Sequence, residues 1–538
     1  MMMKKYFLCA IAMASTMSSM AQDAYDAAIL ATEDLNGTAR YVGMGGALDA
    51  LGADISTISS NPAGIGLFRH SDIRLSFGLL SQADSKKTGG VNPTNMSFDQ
   101  IGFVWANETG YGNFINVGFN YHKSRNFTQI LSAANSFAPS QREDDNGTLK
   151  KLVGSGQNLQ TAVKGMRGLF SADNEDADRV NYYVSQVDYM YNQLLNVEDD
   201  KGKTMFYPLT ASAFNFDKGT KGYIGVYDFN LSGNVHDRVY WGFTIGLHDV
   251  HYESYTTYGE TLESGQSFRV KGTEVKPERA GLIDERSIKG QGVDVKAGLI
   301  VRPIEDSPFR FGVSVASPTW YKLTTNNNTT VYVDERRNLG NTYDFKYNTP
   351  WVLGASLGHT IENYLALGLG YEYTMFNTAD MRYLTYGSST DASRSDKEMN
   401  DEIGNSLRGS HALKVGVELR PDPSLAVRLG YNFVSSPYKS NSEAWRNQKA
   451  YSPGVYYASS TDYVNWKATH RVTAGIGTKI GKFGLDLAYQ CNLTKGDMFP
   501  FADGEYYEDK NIVIENHTPA TPVNFTRHQV LFSLGYTF

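Results

Sequence analysis

The feature that most restricts how this chain can fold is a period-two alternation recurring from about residue 70 to the last residue. In the final segment Val530, Phe532, Leu534, Tyr536 and Phe538 alternate with Leu531, Ser533, Gly535 and Thr537. Leu425, Val427, Leu429, Tyr431 and Phe433 alternate in the same way with Ala426, Arg428, Gly430 and Asn432. Successive side chains of a strand point to opposite faces, so each segment carries one apolar face with aromatic ends and one small, polar or charged face. A soluble sandwich would turn the second face to water and has no use for charges of both signs recurring there. A wall between lipid and a polar lumen needs both faces as they stand.

About fourteen such segments are predicted, near 70–80, 96–106, 113–125, 221–233, 238–252, 287–302, 308–322, 346–358, 363–377, 406–420, 424–436, 463–480, 482–494 and 524–538. The connections alternate in length. Glu108–Gly112, Asn234–Asp237, Pro303–Ser307, His359–Glu362, Pro421–Pro423 and Gly481 are short, whereas 253–286, 323–345, 378–405, 437–462 and 495–523 are long and polar. Short turns on one side and long loops on the other are the pattern of an outer-membrane barrel, and an even strand number puts both barrel ends on the short-turn, periplasmic side. The fold class expected is therefore all-β, a transmembrane antiparallel barrel. Composition agrees: 35 Tyr and 52 Gly accompany a formal charge of −7, and that charge argues against a nucleic-acid partner.

Residues 1–21 read as a signal peptide: Lys4 and Lys5, an apolar stretch from Tyr6 to Met17, then Ser19-Met20-Ala21 before Gln22. Its removal takes the charge from −7 to −9 and leaves Cys491 as the one cysteine, a free thiol. Two regions depart from the alternation. Residues 126–220 form a long insertion, extracellular by alternation, in which Tyr183, Val187, Met190 and Leu194 recur at helical spacing and offer either a rim-packing face or a hydrophobic landing surface for a ligand. Residues 22–69 are rich in Ala and Gly, and Ile55, Ile58, Ile65 and Leu67 make them too apolar for a disordered tail. Inside the barrel 70–538 they would form a hatch that plugs the lumen.

The hatch carries Ala39-Arg40-Tyr41-Val42-Gly43-Met44-Gly45-Gly46-Ala47 and then Asn61-Pro62-Ala63-Gly64-Ile65-Gly66. Pro62 keeps Asn61 out of the α region, and Gly64 and Gly66 permit angles closed to other residues, so a sharp turn or hinge is expected before the first strand. Over residues 36–78 this sequence resembles the FadL/TodX family of outer-membrane transporters, most closely its Bacteroidetes-type members, which are often labelled hemin receptors. The resemblance implies a fourteen-stranded barrel, a luminal hatch with an Asn-Pro-Ala motif, and passage of hydrophobic small molecules such as fatty acids. Ligand would be captured outside and released laterally through a gap at a kinked third strand. The gap would fall in Asn113–Arg125, where Asn116, Gly118 and Asn120 share one parity. Residues Gln22–Glu33 precede the matching region, and the 126–220 insertion is a second departure. Charged positions of lumen parity (Arg74, Lys414, Glu418, Arg428 and Asp486) could clamp the hatch.

Enzymatic signals fail on context, and no catalytic residue, metal or cofactor is expected. Gly354-Ala355-Ser356-Leu357-Gly358 has the spacing of a nucleophile elbow but lies inside an alternating strand. Gly202-Lys203-Thr204 lacks the first glycine of a phosphate loop, with Val197 in its place, and Leu48 stands where a dinucleotide fingerprint after Gly43 needs glycine. His248 and His251 have opposite parity. Expected partners are outer-membrane lipid, a hydrophobic ligand, and the outer-membrane assembly machinery through Phe538, with protein partners in an outer-membrane complex also open. The rivals to transport are a structural or secretion-associated barrel, akin to type IX shuttle barrels or an accessory subunit, and a general porin. The topology is testable: a protease site placed within 126–220 or 378–405 should be cut on intact cells, and one at Pro421–Pro423 should not. Cutting at the latter would invert the barrel.

Overall fold

In the computed structural model the described residues are 24–110, 112–137, 141–143, 149–151, 197–198, 211–265, 267–270, 273–332, 336–384, 392–439, 463–500, 504–509, 512–516 and 520–538. The chain is a closed antiparallel barrel of 14 strands. They are β1 Asp72–Gln82, β2 Thr94–Gly110, β3 Asn113–Asn126 continuing as Gln129–Ser136, β4 Ala211–Val235, β5 Val239–Leu262 and β6 Arg279–Val301. Next come β7 Arg310–Ala316 with Trp320–Tyr332, β8 Arg336–Asn348 with Trp351–Ile361, and β9 Leu365–Met375 with Asp380–Leu384. The circuit ends with β10 Ser410–Asp422, β11 Leu425–Val434, β12 Tyr463–Ile480, β13 Phe483–Phe499 and β14 Thr521–Thr537. Closure is by β1 on β14, from Asp72 opposite Thr537 to Gln82 opposite Arg527.

Alternation decides the faces as the sequence implies. On β14 Val530, Phe532 and Leu534 are 41%, 44% and 39% exposed, while Leu531 and Ser533 between them are fully buried. The outward set is the lipid face and the inward set packs on the luminal segment. No described helix is long and apolar enough to cross a membrane; it is the strands of the closed barrel that present the apolar outer face. The protein is thus a multi-pass outer-membrane barrel. His248 and His251 fall on opposite faces of β5, the first buried and the second half-exposed.

The long connections are shorter than expected. Stretches 253–286 and 323–345 are in large part strand, because β5 to β8 continue upward as paired ribbons, such as Gly281 opposite both Gly259 and Tyr332. Their Tyr, Thr and Asn residues are compatible with a ladder, one face of which is buried, at Tyr258, Leu282, Thr325 and Thr329. The insertion also shrinks, since Gln129–Ser136 pairs with the first part of β4. Tyr183, Val187, Met190 and Leu194 lie outside the described residues.

Residues 24–68 thread the lumen as three helical turns and a 3₁₀ helix: α1 Ala24–Ala31, α2 Ala39–Gly43, α3 Thr57–Ser60 and Pro62–Leu67. Val42, Met44, Leu48, Ile58 and Ile65 are completely buried. Close approach of two backbones fixes small residues on the wall: a Cβ on Gly368 would overlap the Ala47 carbonyl oxygen, and one on Gly416 the Met44 carbonyl oxygen. Neighbours on β9 therefore answer to different environments. Leu367→Arg should cost roughly 2–4 kcal/mol at the bilayer midplane and reduce the heat-modifiable folded band. Gly368→Ala should leave that band intact and instead expose the luminal segment to protease; the reverse pattern would reverse the faces.

Candidate functional site

Asn61 is extended (φ −139°, ψ 98°) and caps the 3₁₀ helix, its side-chain oxygen accepting from the Ala63 amide at 3.2 Å. Pro62 occupies the first helical position, where its missing amide proton costs nothing. The expected hinge is thus a capped helix. Gly64 and Gly66 are not among the residues with positive φ, so the expected reason for them is corrected. Steric closeness takes its place: a Cβ on Gly64 would overlap the Thr57 hydroxyl, and one on Gly66 would lie 2.6 Å from the Gly233 carbonyl oxygen. A Cβ on Gly298 would likewise overlap the Asn61 side chain, and one on Gly242 the Pro62 carbonyl.

The charges of lumen parity do bear on the hatch. Arg40 donates to Glu418 at 3.0 Å, Glu418 holds Arg428 at 2.6 Å, and Arg428 reaches Asp486 at 2.6 Å. Arg74 closes this row at 3.5 Å from Asp486, and Lys414 lies 3.2 Å from Asp49 of the hatch. Such buried pairs add little stability over apolar packing, but removing one partner strands the other at a cost of about 3–5 kcal/mol. They fix position.

Asn116, Gly118 and Asn120 sit in fully paired wall, opposite Ala106, Val104 and Gly102 on β2 and Ser232, Asn230 and Asp228 on β4. No gap lies at these residues. Asn116 instead donates to the carbonyl oxygens of Ile65 at 2.7 Å and Phe68 at 3.1 Å, tying the hatch to β3. The ladder between β2 and β3 ends one step higher, at Gln100 opposite His122, although β2 stays paired with β1 as far as Thr94. Beyond that point β3 turns to the luminal segment. The Asp34 amide donates to the Ser124 carbonyl at 2.7 Å, and the Asn126 amide donates to the Asp34 carboxylate at 2.9 Å. The register shifts between Lys123 and Arg125, opposite Gly225 and Ile224 of β4. The slit so formed is bridged by side chains: Asn36 donates to Asp99 and to the Lys123 carbonyl, both at 3.1 Å, and Lys123 donates to Ser97 at 3.1 Å.

Behind the slit lies a cavity of about 380 Å³, lined among others by Asn36 and Ser124. One part of its lining is apolar and aromatic, with Leu30, Phe127, Tyr252, Tyr321, Phe376 and Trp466. Another is cationic. Arg125 and Arg527 hold Asp34 at 3.2 and 3.1 Å, while Arg471 donates to the Glu33 carbonyl and to Asn432. The Nε atoms of all three arginines are buried without a partner. Burial alone would raise the Asp34 carboxyl, but Arg527, Arg125 and Arg471 outweigh it and hold the group well below the usual carboxylate range. Three guanidinium groups thus face one carboxylate. Above them α1 is tied to the wall by Asp26 on Arg286 at 2.6 Å, Tyr25 on Asn465 at 2.8 Å, and the Tyr347 hydroxyl on the Ala27 carbonyl at 2.9 Å.

The slit lies within the expected Asn113–Arg125 but beyond Asn116, Gly118 and Asn120, and the arginine group and the anchoring of α1 were missed from sequence. Their signal is weak: Arg471 and Arg527 are lone charges of lumen parity, like the five that were noticed. Among the described residues no group of three or more His, Cys, Asp or Glu side chains is placed to hold a metal ion.

No family model matches the chain, and no curated protein matches it. Solved structures do. A Pseudomonas aeruginosa FadL homologue is 11% identical, with 94% of this chain and 100% of that one covered and a TM-score of 0.50. The Ralstonia pickettii toluene transporter TbuX is 12% identical over 94% and 99% of the two chains, with a TM-score of 0.46. The Pseudomonas putida toluene transporter TodX is 10% identical over 94% and 100%, with a TM-score of 0.45. With the Pseudomonas aeruginosa protein, this chain shares its fold.

Proposed function

We propose that this barrel carries hydrophobic small molecules of the long-chain fatty acid type across the outer membrane, with capture from outside, hatch-gated passage and lateral release beside β3. The observation that carries the reading is one cavity in which an aromatic lining meets Arg125, Arg471 and Arg527, and which borders the place where β3 leaves β2. A hydrocarbon tail fits the aromatic part, since each buried methylene contributes about 0.8 kcal/mol. A carboxylate head fits the arginines, whose positive surplus Asp34 offsets only in part. Asn61, Pro62, Ala63, Gly64 and Gly66 anchor the hatch against β4, β5 and β6 in this reading, and Asn116 on β3 holds its lower end. The resemblance over residues 36–78 supports the same class. The terminal Phe538, 63% exposed beside Tyr536, fits a C-terminal signal read by the assembly machinery.

Two experiments separate this reading from a structural or secretion-associated role and from a porin. Deletion of residues 22–66 should convert a non-conducting barrel into a water-filled channel in planar bilayers, because fourteen strands enclose a lumen wide enough for small solutes. A wild-type barrel that already conducts would favour a porin. In the second, Arg471→Leu with Arg527→Leu should weaken binding of a long-chain carboxylate about tenfold or more and leave the matching long-chain alcohol unaffected. Equal binding of the carboxylate by wild type and variant, with no new conductance on deletion, would favour the structural role.

A further inference from the structure

Three tyrosine–histidine pairs on the lipid side of the barrel share one geometry. Tyr371 on β9 meets His411 on β10, Tyr431 on β11 meets His470 on β12, and Tyr489 on β13 meets His528 on β14. In each the phenol oxygen lies 2.7 Å from Nδ1. The register repeats as well: each tyrosine lies two residues before the residue opposite its histidine, which is Tyr373, Phe433 and Cys491 in turn. The tyrosines are 41%, 37% and 44% exposed, so the pairs lie on the outer wall and not in the lumen. Aromatic neighbours flank two of the rings, Tyr373 at 4.9 Å from His411 and Phe433 at 5.3 Å from His470.

Their height follows from β14. Tyr536 belongs to a lower aromatic group with Phe483 and Phe538, each at 5.0 Å between ring centres. From Tyr536 up to His528 the outward residues are Leu534, Phe532 and Val530. Eight residues at about 3.3 Å, on a strand tilted roughly 40°, rise about 20 Å. The apolar band of such barrels is about 25 Å tall. The histidines therefore stand at its outer edge, where acyl chains give way to headgroups.

Chemistry then sets what they present. A phenol is the better donor of the two partners, and with its proton on the Nδ1 lone pair the neutral imidazole keeps its own proton on Nε2. None of the three Nε2 atoms has a protein partner among the described residues. Each tyrosine thus fixes one tautomer and leaves one N–H free, and alternate strands repeat it about every 10 Å across β9 to β14, six of the fourteen strands. A plain aromatic belt needs no such donor. We propose that His411, His470 and His528 form a row of oriented hydrogen-bond donors that binds the phosphate-bearing headgroups of the outer leaflet and seats this side of the barrel.

The test compares the full-length wild type with His411→Phe, His470→Phe and His528→Phe combined, each purified in detergent with one of two lipids of identical acyl chains. The lipids are phosphatidic acid and an uncharged galactosyl diacylglycerol, and the lipid retained per barrel is measured by quantitative mass spectrometry. Each lost donor should reduce phosphatidic acid retention roughly twofold to tenfold at its site, with galactolipid retention unchanged. Unchanged phosphatidic acid retention, or equal loss of both lipids, overturns the proposal. If the triple variant does not fold, Tyr371→Phe, Tyr431→Phe and Tyr489→Phe keep every imidazole but release its tautomer. Selective loss of phosphatidic acid is again the expected result, and unchanged retention again overturns the proposal.

Discussion

A backbone amide or carbonyl in hydrocarbon has no water to bond, so every one that crosses the bilayer must find a partner within the protein. The closed ladder from β1 to β14 meets that demand, and the luminal segment is arranged around a place where it is relaxed, beside β3. Once the wall is closed, its inner face is a polar lumen. The chain occupies that lumen with its own first described residues.

Filling a lumen with backbone is sterically demanding. The wall answers with glycine where the hatch comes closest, at Gly242, Gly298, Gly368 and Gly416, and with charge where the hatch must be positioned, at Glu418 and Lys414. The same segment then supplies what the wall gives up. Where β3 leaves β2, Asp34 takes over its backbone pairing with Ser124 and Asn126, and Asn36 bridges the slit. Hatch, slit and cavity share residues 33–36, so a displacement of that short stretch acts on all three.

All fourteen wall strands were legible because alternation is a local property, and lipid on one side with lumen on the other enforces it at every residue. Asn61-Pro62-Ala63 was legible as a defined turn before the first strand, because Pro62 restricts Asn61 locally; that the turn is a capped 3₁₀ helix was not. The role of Gly64 and Gly66 was misread: a glycine allows positive φ and also close approach, and only the partners, Thr57 and Gly233, say which is used. The break at Lys123 was not legible. It depends on Asp34, far away in sequence, which takes up the backbone of Ser124 and Asn126. Extents of strand above the membrane were underestimated because polar residues there signal water, not loss of pairing.

In the transport proposed above, the stretch around Asn36 moves away from the wall for a ligand to leave. Asn36 and Asp99 have short side chains in direct contact at 3.1 Å, which makes them a natural site for a cross-link. Asn36→Cys with Asp99→Cys, in a Cys491→Ser background, can be oxidised, and the link verified from the joined peptides. Uptake of a labelled long-chain carboxylate should stop in the oxidised barrel and return on reduction. Equal uptake by the oxidised and reduced forms would contradict the account.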